Sequence, residues 1–190
     1  MARPPKKKAA IERAALELFA EVGIDAASIR MIAERAEVTE GALYRHHKGK
    51  DDLVLALFHR YFESIGERLR EAAATGSTLE ARIPAMVAAF LATHDEDPKA
   101  FQFVMIVQHK LLEKVRASED NNPVEVLQGV LRQATESGEL PADAPVALLT
   151  QMLLGSVMQV AVGARYGRVE KPLAPLAPVV AGRCLGLLRG

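Results

Sequence analysis

The chain has 190 residues, 24 Lys/Arg against 24 Asp/Glu, and an apolar share of 49%, enough for one or two compact domains with a sizeable core. Its zero net charge is unevenly spread: residues 1–50 hold ten Lys/Arg and seven Asp/Glu, residues 51–190 hold 14 and 17, so the basic excess is N-terminal. A single cysteine, Cys184, excludes an intramolecular disulfide and fits a reducing cytosol, and Glu12 and Arg13 interrupt the first apolar run before it could serve as a secretory signal.

Arg3, Lys6, Lys7 and Lys8 form a short basic arm that could lie on phosphates or simply keep a tail soluble. Lys6 to Val22 reads as a helix, with Ile11, Ala14, Ala15, Leu18, Phe19 and Val22 on one face and Glu12, Arg13, Glu17 and Glu21 on the other; Gly23 closes it. The stretch from Ser28 to Leu53 then holds two short amphipathic helices around a three-residue turn and the start of another helix. Ile29, Ile32, Ala33 and Ala36 have the i, i+3, i+4, i+7 spacing of one buried face, with Ser28 as N-cap. Glu37 and Val38 break the period, and Val38 plugs the corner. Thr39 caps the second helix, whose inward positions are Ala42 and Leu43, with Tyr44 at the seam. Gly41 costs about 1 kcal/mol relative to Ala in a helix, which points to something approaching the backbone there. Two helices joined in this way form the unit that sets its second helix in a DNA major groove.

The residues also carry a resemblance. From Gly23 to Leu53 the pattern G-I-x3-S-I-x2-IA-x2-A-x-V-T-x-GALY-x5-K-x2-L resembles the N-terminal module of the tetracycline-repressor (TetR-type) transcription regulators. It spans 31 of the 190 residues. The resemblance implies an all-α homodimer that represses transcription and releases DNA when a small molecule binds its C-terminal domain. Two positions depart from the pattern: Glu37 stands where members commonly carry Gly, and His46-His47 where an aromatic pair is common.

The resemblance makes Ser28 and Thr39 phosphate ligands at helix N-termini, beside their capping role, and makes Tyr44 and Lys50 phosphate contacts. From the residues themselves, Arg30 points outward and can reach a phosphate or a base, or remain solvated. Arg45 is the best base reader, since its guanidinium can bond guanine O6 and N7 together. Glu40 can accept from cytosine N4 or face water. His46 can touch DNA, and its protonation would tighten that contact at lower pH. His47 is expected to pack against the core.

Lys50 or Asp51 opens a long helix to about Ala74, with Leu53, Val54, Leu57, Phe58, Tyr61, Ile65 and Leu69 in register; it would span roughly 36 Å and could carry a displacement between domains. After Thr75-Gly76-Ser77, Thr78 begins a helix to about Asp95. Asp97-Pro98 opens another, of uncertain end, and the charged piece Glu113 to Asp120 reads as a solvated end or loop. Asn122-Pro123 starts a helix closed by Gly138. Asp143 is the expected cap of the next. That helix holds the uncharged run Ala144 to Ala164, which by length could span a membrane, but its Thr150, Gln151, Ser156 and Gln159 favour a helix buried in a bundle or dimer, with Pro145 in its first turn. Pro175 or Pro178 begins a last helix to Leu188. The expected class is therefore all-α, about nine helices, with residues 1–48 as the DNA-binding domain and 49–190 as the ligand-sensing and dimerisation domain.

Met86, Phe90 and His94 form one stripe, and Phe101, Met105 and Gln108 another. With Gln151 and Gln159 they are the candidate walls of a cavity for an apolar or amphipathic effector, though each can equally be plain core or, for the two glutamines, a dimer contact. By resemblance the last two helices pair with their copies in a four-helix bundle, where Gly155, Ser156, Ala161, Ala181 and Gly182 allow close approach. The five histidines show no metal-ligand spacing, and no catalytic motif occurs, so no metal, cofactor or enzymatic activity is expected. The reading is a cytoplasmic regulator that binds a palindromic double-stranded operator as a homodimer and answers to a small-molecule effector. The alternatives are an activator of the same fold, an all-α ligand carrier without DNA affinity, and a membrane-anchored helical protein.

Overall fold

The computed structural model describes residues 5–111 and 121–189. Among these the chain forms nine α-helices and no strand: α1 (Pro5–Val22), α2 (Ile29–Arg35), α3 (Glu40–Tyr44), α4 (Lys50–Ala73), α5 (Leu79–Glu96), α6 (Pro98–Leu111), α7 (Pro123–Glu136), α8 (Val146–Arg165) and, after a 3-10 turn at Ala174–Leu176, α9 (Ala177–Arg189). The all-helical expectation holds. Arg3 and Glu113 to Asp120 lie outside the described residues.

The chain divides into two compact units, Met1–Tyr61 with Lys99–Arg116, and Phe62–Pro98 with Ala117–Gly190. In the first, α4 buries Leu53, Val54, Leu57 and Phe58 before Tyr61. In this unit α1 buries Ile11, Ala14, Ala15, Leu16, Leu18 and Phe19, each large apolar side chain contributing about 1.5–3 kcal/mol. Phe19 stacks on Phe103 of α6, ring centroids 5.7 Å apart. Two residues of α1 depart from their expected faces. Val22 is 45% exposed where the helix ends, and Glu12, placed on the polar face by its spacing, is buried. Its carboxylate is compensated by Arg60 of α4 and, more distantly, Lys8. Lys7 and Lys8 belong to α1 and extend no free arm.

In the second unit α5 packs on α8 and α9, and α7 on α8. Ile83, Met86, Val87, Phe90 and Leu91 of α5 meet a core completed by Leu127, Leu131, Leu153, Val157, Ala181 and Leu188. Asn122 caps α7 through Val124 N–H, and Gly138 (φ 81) ends it, as expected. Asp95, near the end of α5, accepts the backbone N–H groups of Leu173 (2.9 Å) and Ala174 (2.8 Å), which fixes the entry to α9.

The cap expected at Asp143 is not formed. Proline restrains its predecessor to extended backbone, so Ala144 cannot begin a helix; Pro145 takes the N-cap position and α8 starts at Val146. Nor is α8 buried all round. Thr150, Leu153, Val157, Ala161 and Ala164 are covered, while Leu148 (58% exposed) and Met152 (41%) are open, as is Val179 (68%) on α9. Among the described residues α8 is the one helix long and apolar enough to cross a membrane.

Candidate nucleic-acid interface and effector cavity

Local rules build the α2–α3 pair. Ser28 sits in extended backbone (φ −114°, ψ 157°) and its Oγ accepts Met31 N–H at 3.2 Å. Thr39 (φ −76°, ψ 151°) does the same for Ala42 N–H at 3.2 Å. Ile32 and Ala33 of α2 and Ala42 and Leu43 of α3 are buried, and Val38 is half-buried in the corner. Glu37 makes the turn with φ +54°, the one positive φ among described non-glycine residues. Its side chain is exposed, so the strain is borne by backbone alone.

Most of the expected DNA contacts of this pair are open to solvent. Ser28, Arg30, Thr39, Glu40, Gly41 and Arg45 are exposed, Tyr44 is 52% exposed rather than held at the seam, and His46 is half-buried. Arg30 is engaged along its own helix, Nε donating to Glu34 Oε1 at 2.9 Å; this bond first, then the charges of Glu34 and Glu40, raises its pKa. Arg45 has no ion-pair partner among the described residues, and neither does Lys48, an exposed cation that sequence periodicity did not single out. A Cβ on Gly41 would meet nothing within 4 Å, so nothing among the described residues demands glycine there.

His47 is buried, its Nδ1 3.4 Å from Asp52 Oδ2 and its Nε2 without a partner among the described residues. Burial pushes the imidazole pKa down, against the opposing pull of Glu12 and Asp52. Lys50, expected as a phosphate contact, is half-buried at the start of α4. Its ammonium turns inward, donating to the carbonyl oxygens of Ile24 (2.9 Å), Asp25 (3.1 Å) and Ala27 (3.0 Å).

The second unit contains a cavity of about 40 Å³ walled by Leu69, Ile83, Met86, Val87, Phe90, Leu127, Leu153, Leu154, Val157 and Cys184. With no polar wall group beyond a thiol, it offers nothing to hold a water. Met86 and Phe90 are in the wall as expected; the other expected residues are not. His94 is buried but bonded to Asp95 Oδ1 (3.1 Å). Phe101, Met105 and Gln108 lie on α6 in the first unit, where Phe101 and Gln108 are buried. Gln151 and Gln159 are exposed on α8, because Leu153, Val157 and Ala161 define its inner face and Gln151 lies about 200° around the helix from Leu153. Leu69, Val157 and Cys184 are wall residues the sequence did not point to. Among the described residues no group of three His, Cys, Asp or Glu side chains could hold a metal ion.

Residues 11–57 match the family model described as bacterial regulatory proteins, tetR family. The chain is 26% identical to the fatty acid metabolism regulator protein of Bacillus subtilis over 76% of each chain. It is 28% identical to the HTH-type transcriptional repressor KstR2 of Rhodococcus jostii, covering 73% of this chain and 70% of that protein. It shares the fold of the transcriptional regulator FadR from Bacillus subtilis, solved in complex with stearoyl-CoA, with a TM-score of 0.74 and 21% identity over 93% of this chain and 97% of that one. The capped α2–α3 pair lies within the matched residues: the chain carries the N-terminal module of the tetR family of bacterial regulatory proteins, joined to an all-helical second unit.

Proposed function

We propose that this chain is a cytoplasmic transcriptional repressor that acts by binding alone, as a homodimer on a palindromic operator, and leaves the DNA when an acyl-bearing molecule enters its second unit. The observation that carries the reading is the α2–α3 pair, capped at both N-termini, with Tyr44 and the unpaired Arg45 exposed beside a glycine that nothing within the chain requires. Ser28, Thr39 and Tyr44 serve as phosphate contacts, with Arg30 joining them once it leaves Glu34. Arg45 reads a guanine edge, with Glu40 and His46 at the margins and Gly41 allowing the sugar-phosphate chain to come close. The reading head ends near residue 48.

The dimer forms through α8 and α9. Leu148, Met152 and Val179 leave an apolar face open in the single chain, and Gln151 and Gln159 lie on the open side of α8, where a partner copy would cover them. Two heads related by a two-fold axis then meet half-sites about 34 Å apart, or a multiple of that.

The effector reading draws on the apolar cavity and on relatives named for fatty acid regulation. At about 40 Å³ the cavity seeds a chain of methylenes and must widen to take one. In the same unit a groove of about 340 Å³ between α4, α5 and α7 carries Arg70 and Arg82 with one carboxylate, Glu125, and the two guanidinium groups suit an anionic head. Release requires that the effector bind the DNA-free arrangement more tightly than the DNA-bound one.

Selection of bound fragments from random duplexes tests the reading. The parent should enrich a palindrome and Tyr44→Ala and Arg45→Ala should not, while stearoyl-CoA should lower operator affinity and Met152→Glu should yield monomers in detergent-free buffer. A parent that binds every duplex equally, or none, removes the proposal.

A further inference from the structure

A primary ammonium has three N–H donors, and Lys50 uses all three on Ile24, Asp25 and Ala27. Those carbonyls belong to one turn. It leaves α1 at Gly23 (φ 85), closes with Ala27 N–H on Gly23 O (3.2 Å), and delivers the chain to Ser28, the N-cap of α2. Three carbonyl dipoles aimed at one point repel one another unless a cation sits between them. A flexible stem ending in a compact point charge meets that need, whereas a planar guanidinium does not. The ammonium stands on the first residue of α4, so the turn that sets the start of α2 is tied to the start of α4 through this one group.

We infer that Lys50 is the positioning residue of the reading head: it holds the Ile24–Ala27 turn, and through it the N-terminus of α2, and does not contact a DNA phosphate. A shift of the first turn of α4 is then passed to α2 through these carbonyls. Only the DNA arm of the test rests on the reading given under Proposed function.

The variants are Lys50→Met, which keeps the stem and removes the charge, and Lys50→Arg, which keeps the charge and loses the convergence of donors. Amide exchange at residues 24–32 is measured in DNA-free protein. Affinity for the selected operator is measured from about 50 to about 200 mM salt. Exchange about tenfold faster than in the parent is expected in both variants. Operator binding is expected to weaken about tenfold in both, with the slope of log K against log salt unchanged. A phosphate contact would behave otherwise: Lys50→Arg would bind like the parent, Lys50→Met would flatten the slope by about 0.9, and exchange would stay as it was. That pattern overturns the inference, as does unchanged exchange in both variants. If Lys50→Met does not fold, Lys50→Gln replaces it with the same expectation. Should the parent bind no duplex, the functional reading fails while the exchange measurement still decides the clamp.

Discussion

His47 holds its Nδ1 3.4 Å from Asp52 Oδ2 while its buried Nε2 has no partner among the described residues, so an imidazole stands in the core with one polar atom unserved. A buried polar group without a bond costs about 1–3 kcal/mol. His47→Phe should therefore raise the melting temperature at pH 7, and a lower value would show that the ring nitrogens contribute more than they cost.

The same residue fixes a pH dependence. Burial lowers its folded pKa, so below about 6.5 the unfolded chain takes up a proton that the folded chain resists. Stability from this group is present above the unfolded pKa and is lost as pH falls from there towards the folded pKa. Melting scans between about pH 7.5 and about pH 5.5, one unit either side of that ordinary value, should show a decline that His47→Phe reduces.

Glu37 adopts φ +54° in the turn between α2 and α3. Left-handed backbone costs a non-glycine residue about 1–2 kcal/mol, and glycine gives back about 0.5–1 kcal/mol through its freer unfolded state. Glu37→Gly should stabilise the protein by about 0.5–1 kcal/mol in urea unfolding, and Glu37→Val, β-branched, should destabilise it.

Two glycines should respond oppositely to the same change. A methyl on Gly66 would run into the backbone carbonyl of Asn121, which cannot step aside as a side chain could, so Gly66→Ala should cost about 1–3 kcal/mol. Gly41→Ala meets open space and should gain up to about 1 kcal/mol of helix stability while weakening operator binding. Urea titration and a binding isotherm on the same preparations check both.

Asp95 carries the entry to α9. Burial works to raise its pKa, but the N–H groups of Leu173 and Ala174 and the His94 ring together hold it lowered. Its contribution is therefore present above the unfolded value near 3.9 and is lost as pH falls through the folded one. Asp95→Ala should cost about 1–3 kcal/mol at neutral pH, from two N–H groups left without an acceptor.

What could be read from the sequence follows from distance along the chain. Ser28 and Thr39 cap as expected, and Ala42 and Leu43 are buried as expected, because a cap and a helical face depend on residues within four positions. Glu12 was misplaced on the polar face because its partner, Arg60, lies 48 positions away on another helix. The inward turn of Lys50 was equally hidden, since its acceptors are backbone carbonyls 23 to 26 positions back, and carbonyls carry no letter in a sequence. The cavity wall was legible only at Met86 and Phe90. The void is a shortfall of volume where five helices meet, and periodicity names the inner face of each without saying how well the faces fill the space between them.

The chain's one thiol forms part of that wall. Cys184 is 1% exposed, and burial pushes its pKa up, so in the closed molecule it is neither accessible nor appreciably ionised. Alkylation by iodoacetamide can then proceed only through moments when the α5, α8 and α9 seams part, which makes the reaction rate a clock for the breathing of the core. A molecule lodged in the void would stop that clock by occupancy.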